Sequence, residues 1–133
     1  MCAAAEACYY IAKSPIHGKG LFAKTKIKRN QRIGEYRGKI LKRKQVIDNE
    51  NLDCTYMMAI KRGARYIDGR DLSKNPMGYI NHSADHANVR ARELDSGRVF
   101  MYAKRNIEPH TELLFDYQYD PAQKPCSLAR DAV

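Results

Sequence analysis

The sequence lacks any hydrophobic run that approaches the roughly 18 residues of a membrane-spanning helix. Its first residues, Met1 to Ala7, also lack the basic group that opens a secretory signal. These two absences predict a soluble intracellular protein.

Cysteine is scarce as well, with four residues scattered at Cys2, Cys8, Cys54 and Cys126. They form no C-x-x-C pair, and no Cys/His cluster has the spacing of zinc ligands. We therefore expect reduced thiols and no structural metal.

The chain has 133 residues, 44% of them hydrophobic, which suits one domain with a modest core. Residues 1–8 are small and poorly patterned, and residues 121–133 have little periodicity and contain two prolines. This predicts a flexible lead-in over 1–8, a domain over 9–120 and a C-terminal tail over 121–133.

Short β-type segments separated by turn residues dominate the domain. Strands are predicted at 9–13, 21–23, 33–41 with a bend at a glycine, 56–60 and 66–68, and a hairpin at 89–103. Residues 42–53 contain neither proline nor glycine and predict a short helix, whereas 77–81 predict a short turn or helix. The fold class is therefore mainly β, built from small twisted sheets.

One pattern occurs twice, at Phe22 to Ile33 and at Tyr102 to Leu113. Each copy has an aromatic residue, Ala and Lys, then Ile, a polar turn and an aliphatic residue. Asn30 and His110 occupy the same place in the turn, and both residue types tolerate a left-handed backbone. We expect the same strand–turn–strand unit twice.

Two polar clusters are not explained by packing alone. The segment Tyr79 to Ser83 contains Asn-His-Ser, three side chains that can hold a polar small molecule through hydrogen bonds. The segment Glu112 to Tyr117 is an apolar run that ends on an acid and a phenol, as at the end of a buried strand.

Together these clusters resemble the two signature motifs of the SET-domain protein-lysine methyltransferases, Asn-His-Ser and Glu-Leu-x-x-Asp-Tyr. The resemblance includes His17 to Phe22 and Glu35 to Gly38, and it covers roughly Tyr9 to Tyr119. It implies a β-clip fold with one short helix and a pseudoknot, in which the Asn-His-Ser segment passes through a loop near the final motif. The closing stretch looks most similar to the Polycomb enhancer-of-zeste branch and to compact viral or bacterial SET proteins.

The resemblance implies an S-adenosylmethionine-dependent protein-lysine N-methyltransferase that acts on a histone tail lysine and forms a di- or trimethyl product. Tyr117 matches the catalytic tyrosine. The residues implied to bind S-adenosylmethionine are Lys19, Gly20, Leu21, Tyr79, Asn81 and His82. Those implied to line the lysine channel are Tyr56, Phe115 and Tyr117.

The chain departs from the family pattern after Asn-His-Ser. Ala84 to Asn88 replaces the usual Cys-x-Pro-Asn and is one residue longer, and Cys126 alone cannot form the three-cysteine zinc cluster that often follows the domain. A catalytically silent SET-fold module that binds chromatin or basic peptides therefore stays open as an alternative. The channel wall could come from the tail, the substrate or a second subunit, which would make a homodimer.

The formal net charge is +9, with the cations spread along the sequence except for the runs Lys24 to Arg32 and Lys42 to Lys44. Such a charge fits solubility, and it fits contact with nucleosomal DNA equally well. Basic histone tails would be repelled at long range unless an acidic groove compensates, with candidates at Asp48, Glu50, Asp53 and Asp85. A histone substrate implies a nuclear location, or the host nucleus for a viral or bacterial protein. A simple nucleic-acid-binding protein would leave both motifs without a role.

Overall fold

The computed structural model describes residues 7–49 and 55–117. Predictions that fall on Glu50, on Asp53 or on the C-terminal tail lie outside these ranges. Within them the strands are β1 (Tyr9–Lys13), β2 (Lys19–Ala23), β3 (Arg32–Tyr36), β4 (Lys39–Lys42), β5 (Met57–Ile60), β6 (Arg65–Asp68), β7 (Asn81–His82), β8 (Val89–Glu93), β9 (Val99–Ala103) and β10 (Leu114–Phe115). The helices are α1 (Arg43–Ile47) and two 3-10 turns, Lys61–Gly63 and Pro76–Tyr79.

The strands form three small sheets in the described residues, ordered β1-β2, β3-β9-β8-β10-β7 and β4-β6-β5. Neighbouring strands are antiparallel except that β10 runs parallel to both β7 and β8. The predicted mainly β fold of small sheets with one short α-helix is confirmed.

The predicted bend between β3 and β4 lies at Arg37 and Gly38. A Cβ on Gly38 would clash with the main-chain oxygen of Asp68, so the close approach of β6 requires glycine there.

Helix α1 is shorter than the pattern predicted. It begins after Lys42, whose N–H donates to the side chain of Gln45 at 2.8 Å, and it ends at Ile47. Val46 is its one buried residue, packed with Met57 and Tyr66 in a small second core. A helix with a single buried residue gains little from packing, and short helices depend on packing for stability.

The predicted turn or helix at 77–81 is a 3-10 turn that begins at Pro76, where proline suits the first helical position. It ends at Tyr79, so Asn81 belongs to strand β7.

The repeated pattern does form two similar units, and the units pair with each other. The N–H of Ile27 donates to the carbonyl of Ile107 at 2.9 Å, and the N–H of Ile107 returns the bond at 2.8 Å. The bonds from Asn30 N to Ala103 O (2.9 Å) and from His110 N to Ala23 O (2.6 Å) are equivalent in the two units. The main core cluster draws buried residues from both units, among them Ala23, Ile27, Ile33, Ala103, Ile107 and Leu113.

The predicted left-handed positions are also confirmed, with φ angles of 68° at Asn30 and 66° at His110. We expect Asn30→Ala to lower the free energy of unfolding by about 1 kcal/mol, because alanine lacks the short polar side chain that lets asparagine tolerate a left-handed backbone. Asn30→Gly is the matched control, since both variants lose the bond that Arg90 donates to the Asn30 side chain (3.2 Å). Urea denaturation should place the glycine variant within about 0.5 kcal/mol of wild type. Equal losses in both variants would assign the effect to the Arg90 bond.

No helix in the described ranges is long and apolar enough to cross a membrane. The same residues contain no group of three His, Cys, Asp or Glu side chains arranged to hold a metal ion. Cys8 is a half-buried free thiol whose pKa is raised by burial.

Candidate active site

Strand β10 lies between β7 and β8 and thereby joins the two motifs. Leu114 pairs with Asn81 and Phe115 with His82 in the parallel ladder to β7, while Phe115 also pairs with Val89 of β8. The N–H of Ser83 continues this pairing with a bond to the carbonyl of Phe115 at 3.1 Å. Residues some thirty positions apart thus become immediate neighbours, as the predicted pseudoknot requires.

Asn88 holds β10 in this place, a role that sequence reasoning missed. Its side chain donates to the Glu112 carbonyl at 2.9 Å and accepts from the Leu114 N–H at 2.8 Å. It is 4% exposed, so these bonds satisfy a buried amide. The residues that make the preceding segment unusual, Ala84, Asp85 and His86, are exposed. The sequence did contain a feature that could have revealed this role, because the asparagine that ends the family's Cys-x-Pro-Asn pattern is retained here as Asn88.

Asn81 faces a group of oxygen acceptors on the β1–β2 hairpin and on Glu112. Its Nδ2 lies 2.9 Å from Glu112 Oε2, 3.1 Å from the His17 carbonyl and 3.3 Å from the Lys19 carbonyl. Two N–H groups therefore serve three acceptors. This arrangement turns Asn81 Oδ1 away from the hairpin, and that oxygen accepts no hydrogen bond from any described residue.

Glu112 is half-buried and connects the hairpin to the final motif. Its Oε2 also accepts a bond from the hydroxyl of buried Ser14 at 2.8 Å. The carboxylate lies so close to Gly20 that a Cβ there would clash with it. Gly20 therefore has a packing reason to be glycine, beside its predicted role in binding a cofactor. Gly18, with φ of 47° and nothing within 4 Å of a Cβ position, borders open space.

Tyr117 is held at both its backbone and its hydroxyl. Its N–H donates to His82 Nδ1 at 3.1 Å, which places the imidazole proton on Nε2. Its O–H donates to the carbonyl of Ile80 at 2.7 Å, directly before Asn81. The ring centroid of Tyr117 lies 4.9 Å from that of His82 and 5.8 Å from that of Phe115. Phe115 and Tyr117 thus share one side of the site, as the period of a strand predicted.

Three other predicted residues have different surroundings. Leu21 is fully buried in the core, and its carbonyl accepts from the Leu113 N–H at 2.7 Å. Tyr79 is half-buried and packs against the main core. The carbonyl of Tyr56 accepts from the Tyr36 hydroxyl at 2.7 Å, and within the described residues its ring makes no ring contact with Phe115 or Tyr117. Their roles in ligand binding stay predictions.

Comparison with known proteins agrees with this geometry. A family model described as the SET domain matches residues 18–118. The chain is 30% identical over 128 residues to the histone-lysine N-methyltransferase MEDEA of Arabidopsis thaliana, covering 91% of this chain and 18% of that protein. It is also 30% identical over 128 residues to the histone-lysine N-methyltransferase EZ1 of Oryza sativa subsp. japonica, covering 90% of this chain and 14% of that protein. The chain therefore spans less than a fifth of the length of these curated relatives.

Solved structures show the same likeness. CpSET8 from Cryptosporidium superposes with a TM-score of 0.70 at 28% identity, over 87% of this chain and 60% of that one. An autoinhibited ctPRC2 bound to S-adenosylmethionine gives a TM-score of 0.73 at 21% identity, over 98% of this chain and 17% of that one. A humanized mutant of the Chaetomium thermophilum Polycomb Repressive Complex 2, bound to the inhibitor GSK126, gives a TM-score of 0.72 at 22% identity, over 87% of this chain and 15% of that one. The predicted fold and the predicted likeness to Polycomb proteins are confirmed.

Proposed function

We propose that this chain, which belongs to the SET-domain family, is an S-adenosylmethionine-dependent protein-lysine N-methyltransferase that acts on a histone tail lysine. The observation that carries the proposal is the pairing of β10 with β7, because it sets Tyr117 against His82 and Ile80 with Asn81 alongside. The relatives named as histone-lysine methyltransferases support the substrate class and a nuclear location. Homodimer formation stays a prediction of the sequence.

The acceptor group around Asn81 suits the amino-acid end of S-adenosylmethionine. Asn81 Oδ1 and Glu112 Oε1 accept no hydrogen bond from a described residue, and the nearby carbonyls outnumber the Asn81 N–H groups. An ammonium has three N–H donors and would satisfy such oxygens. Asn81, the hairpin main chain at Lys19 and Gly20, and β7 at His82 would hold the cofactor, which supplies a methyl group on a positively charged sulfur.

The substrate lysine must present a neutral amine, although free lysine has a pKa of about 10.4 and is almost wholly protonated at pH 7. The rings of Phe115 and Tyr117 would remove the amine from water, which disfavours the ammonium form. The Tyr117 hydroxyl, directed by its bond to Ile80, would accept an N–H of that amine and orient its lone pair.

Two measurements test the proposal. Calorimetry should detect S-adenosylmethionine binding without substrate, and labelled cofactor should transfer its label to lysine in histones or nucleosomes. A protein that binds no cofactor and labels no substrate would contradict it. The silent-module alternative rested on the altered segment 84–88 and on Cys126, which alone cannot form the three-cysteine zinc cluster. In the altered segment, Asn88 still anchors β10. Binding of the cofactor separates the two functions, since a silent module should show none.

Phe115 should set the number of methyl groups added. Its ring lies beside Tyr117 and offers no hydrogen bond to a partly methylated amine, which leaves the amine free to turn and react again. We therefore expect a di- or trimethyl product from the natural protein, and a shift towards monomethyl-lysine in Phe115→Tyr with cofactor binding retained.

Mass spectrometry of a peptide under multiple turnover measures this shift. Phe22→Tyr is the matched control, because it adds the same hydroxyl on β2, where Phe22 stacks with Tyr10. A natural product that stops at one methyl group would refute the prediction.

A further inference from the structure

The outer face of the β3-β9-β8 sheet carries arginines over aromatic rings. In β9 the residues Val99, Met101 and Ala103 belong to the main core, whereas Phe100 and Tyr102 alternate with them and lie on the other face. Phe100 is nevertheless only 7% exposed. We call this surface the arginine face and define it by Arg32, Arg90, Arg92, Arg98, Phe100 and Tyr102.

Guanidinium groups cover these two rings. Arg32 lies 4.0 Å and Arg98 5.0 Å from the centroid of Phe100, while Arg90 lies 5.3 Å from that of Tyr102. Arg32 also donates to the Tyr102 hydroxyl from Nε at 3.2 Å and from Nη2 at 3.0 Å. The rings therefore hold the charged groups in place before any partner binds.

The arginine face has much more positive than negative charge. Arg98 donates to both oxygens of Glu35 at 2.9 and 3.0 Å, and Arg37 lies 3.5 Å from the same carboxylate. The hydrogen bonds from Arg98 lower the pKa of Glu35, so this acid stays ionised at neutral pH. Within the described ranges, Arg32, Arg90 and Arg92 have no carboxylate at ion-pair distance.

The positive surface continues beyond the sheet. Arg90 Nη2 donates to Asn30 at 3.2 Å, which connects the face to the turn carrying Lys28 and Arg29. The Arg29 N–H in turn donates to Asn106 at 2.9 Å, beside Arg105. All of these basic side chains are exposed, and the bonds through Asn30 and Asn106 connect the arginine face to two neighbouring basic turns.

We infer that the arginine face binds the phosphate backbone of duplex DNA. Several cations that continue from a sheet face onto two turns complement a polyanion better than a small ligand, and planar guanidinium groups match phosphate oxygens. Arg90 and Arg92 stand about 7 Å apart along β8, while a DNA strand carries a phosphate every 3.4 Å along its axis, so each can reach one. Contacts to phosphate alone carry no base information, so the binding is independent of sequence.

The arginine face would be the site of the DNA contact that the net charge suggested. Only the benefit of this contact for reaching a histone substrate rests on the proposed function. Attachment to nucleosomal DNA would offset the long-range repulsion between this basic chain and a basic histone tail. The binding itself requires neither cofactor nor methyl transfer.

The test measures fluorescence anisotropy of a short labelled duplex of mixed sequence between about 50 and 200 mM salt. We expect Arg90→Gln/Arg92→Gln to bind at least about tenfold more weakly at low salt, and to reduce the slope of log K against log salt by about 2. Lys42→Gln/Lys44→Gln removes the same charge from β4 and α1 and should change the affinity by no more than about twofold. Melting temperatures confirm that both proteins are folded.

Three outcomes would overturn the inference. Equal losses in the two double variants would show that net charge alone drives binding. Wild-type protein that binds phosphatidylserine vesicles but no duplex would show that the basic surface binds anionic membranes and not DNA. If the double variant proves unstable, Arg92→Gln alone must lower the salt slope by about 1, and an unchanged slope refutes the proposal.

A chain that transfers no methyl group but shows the expected DNA losses would refute the proposed function and leave this inference standing.

Discussion

Tyr117→Phe should lose about 100-fold to 1,000-fold of the methyl-transfer rate, the range found when one oriented hydrogen-bonding group is removed from an active site. A phenol oxygen that donates its proton, here to Ile80 at 2.7 Å, can at the same time accept hydrogen bonds. The variant retains the ring against His82 and Phe115 but has no oxygen to orient the amine. Single-turnover rates on a histone peptide, with the cofactor affinity measured in parallel, check this result.

Loss of stability must be separated from loss of chemistry. The carbonyl of Ile80, a residue that is 3% exposed, loses a partner in Tyr117→Phe, which costs about 1–3 kcal/mol. Tyr10→Phe is the matched control, since it removes a hydroxyl bonded to His110 Nδ1 at 3.0 Å on a different sheet. A Tyr117→Phe protein that is folded and transfers methyl groups at the wild-type rate would exclude Tyr117 as the catalytic tyrosine.

Asn81→Ala should bind S-adenosylmethionine about 10-fold to 100-fold more weakly. A hydrogen bond to a charged group contributes about 1.5–3 kcal/mol, and each 1.4 kcal/mol is about a factor of ten in affinity. The amide also separates the Glu112 carboxylate from the carbonyls of His17 and Lys19. Without it these oxygens face one another, so the cofactor ammonium loses one acceptor and the remaining ones lose their alignment.

Calorimetry and thermal melting together decide the role of Asn81. Asn106→Ala is the control, because it removes one side-chain amide that accepts from the Arg29 N–H at 2.9 Å in a surface turn. A lower melting temperature with an unchanged dissociation constant per folded molecule would make Asn81 a structural residue.

Local patterns were informative wherever one residue or one short segment decides the conformation. Asn30 and His110 were recognised as left-handed positions because few residue types tolerate that backbone, and both have positive φ. The strands were recognised from β-type residues between turn signals, and the bend lies at Gly38, where a Cβ would clash. Helix α1 was overestimated because the stability of a short helix depends on buried apolar contacts, and Val46 is its one buried residue.

Side-chain partners that lie far apart in sequence were missed. Ser14 and Glu112 are separated by 98 positions, and their bond follows from the approach of the β1–β2 hairpin to the final motif. The arginine face was hidden for the same reason, since Arg90 and Arg92 of β8 and Arg98 before β9 lie far from Arg32 in sequence. They share a face with it only because β9 pairs with both β3 and β8.

The sequence by itself determined the family, the mainly β class and the motif residues Asn81, His82 and Tyr117, because turn chemistry, strand period and short motifs are local properties. Tertiary structure alone decided that β10 inserts between β7 and β8, that Glu112 and Asn81 meet at the hairpin, and which arginines share a face. Parallel pairing and strand order depend on which distant segments bury apolar surface together, as Leu113 and Leu21 do in the core. Such long-range packing leaves no local mark on the residues that it brings into contact.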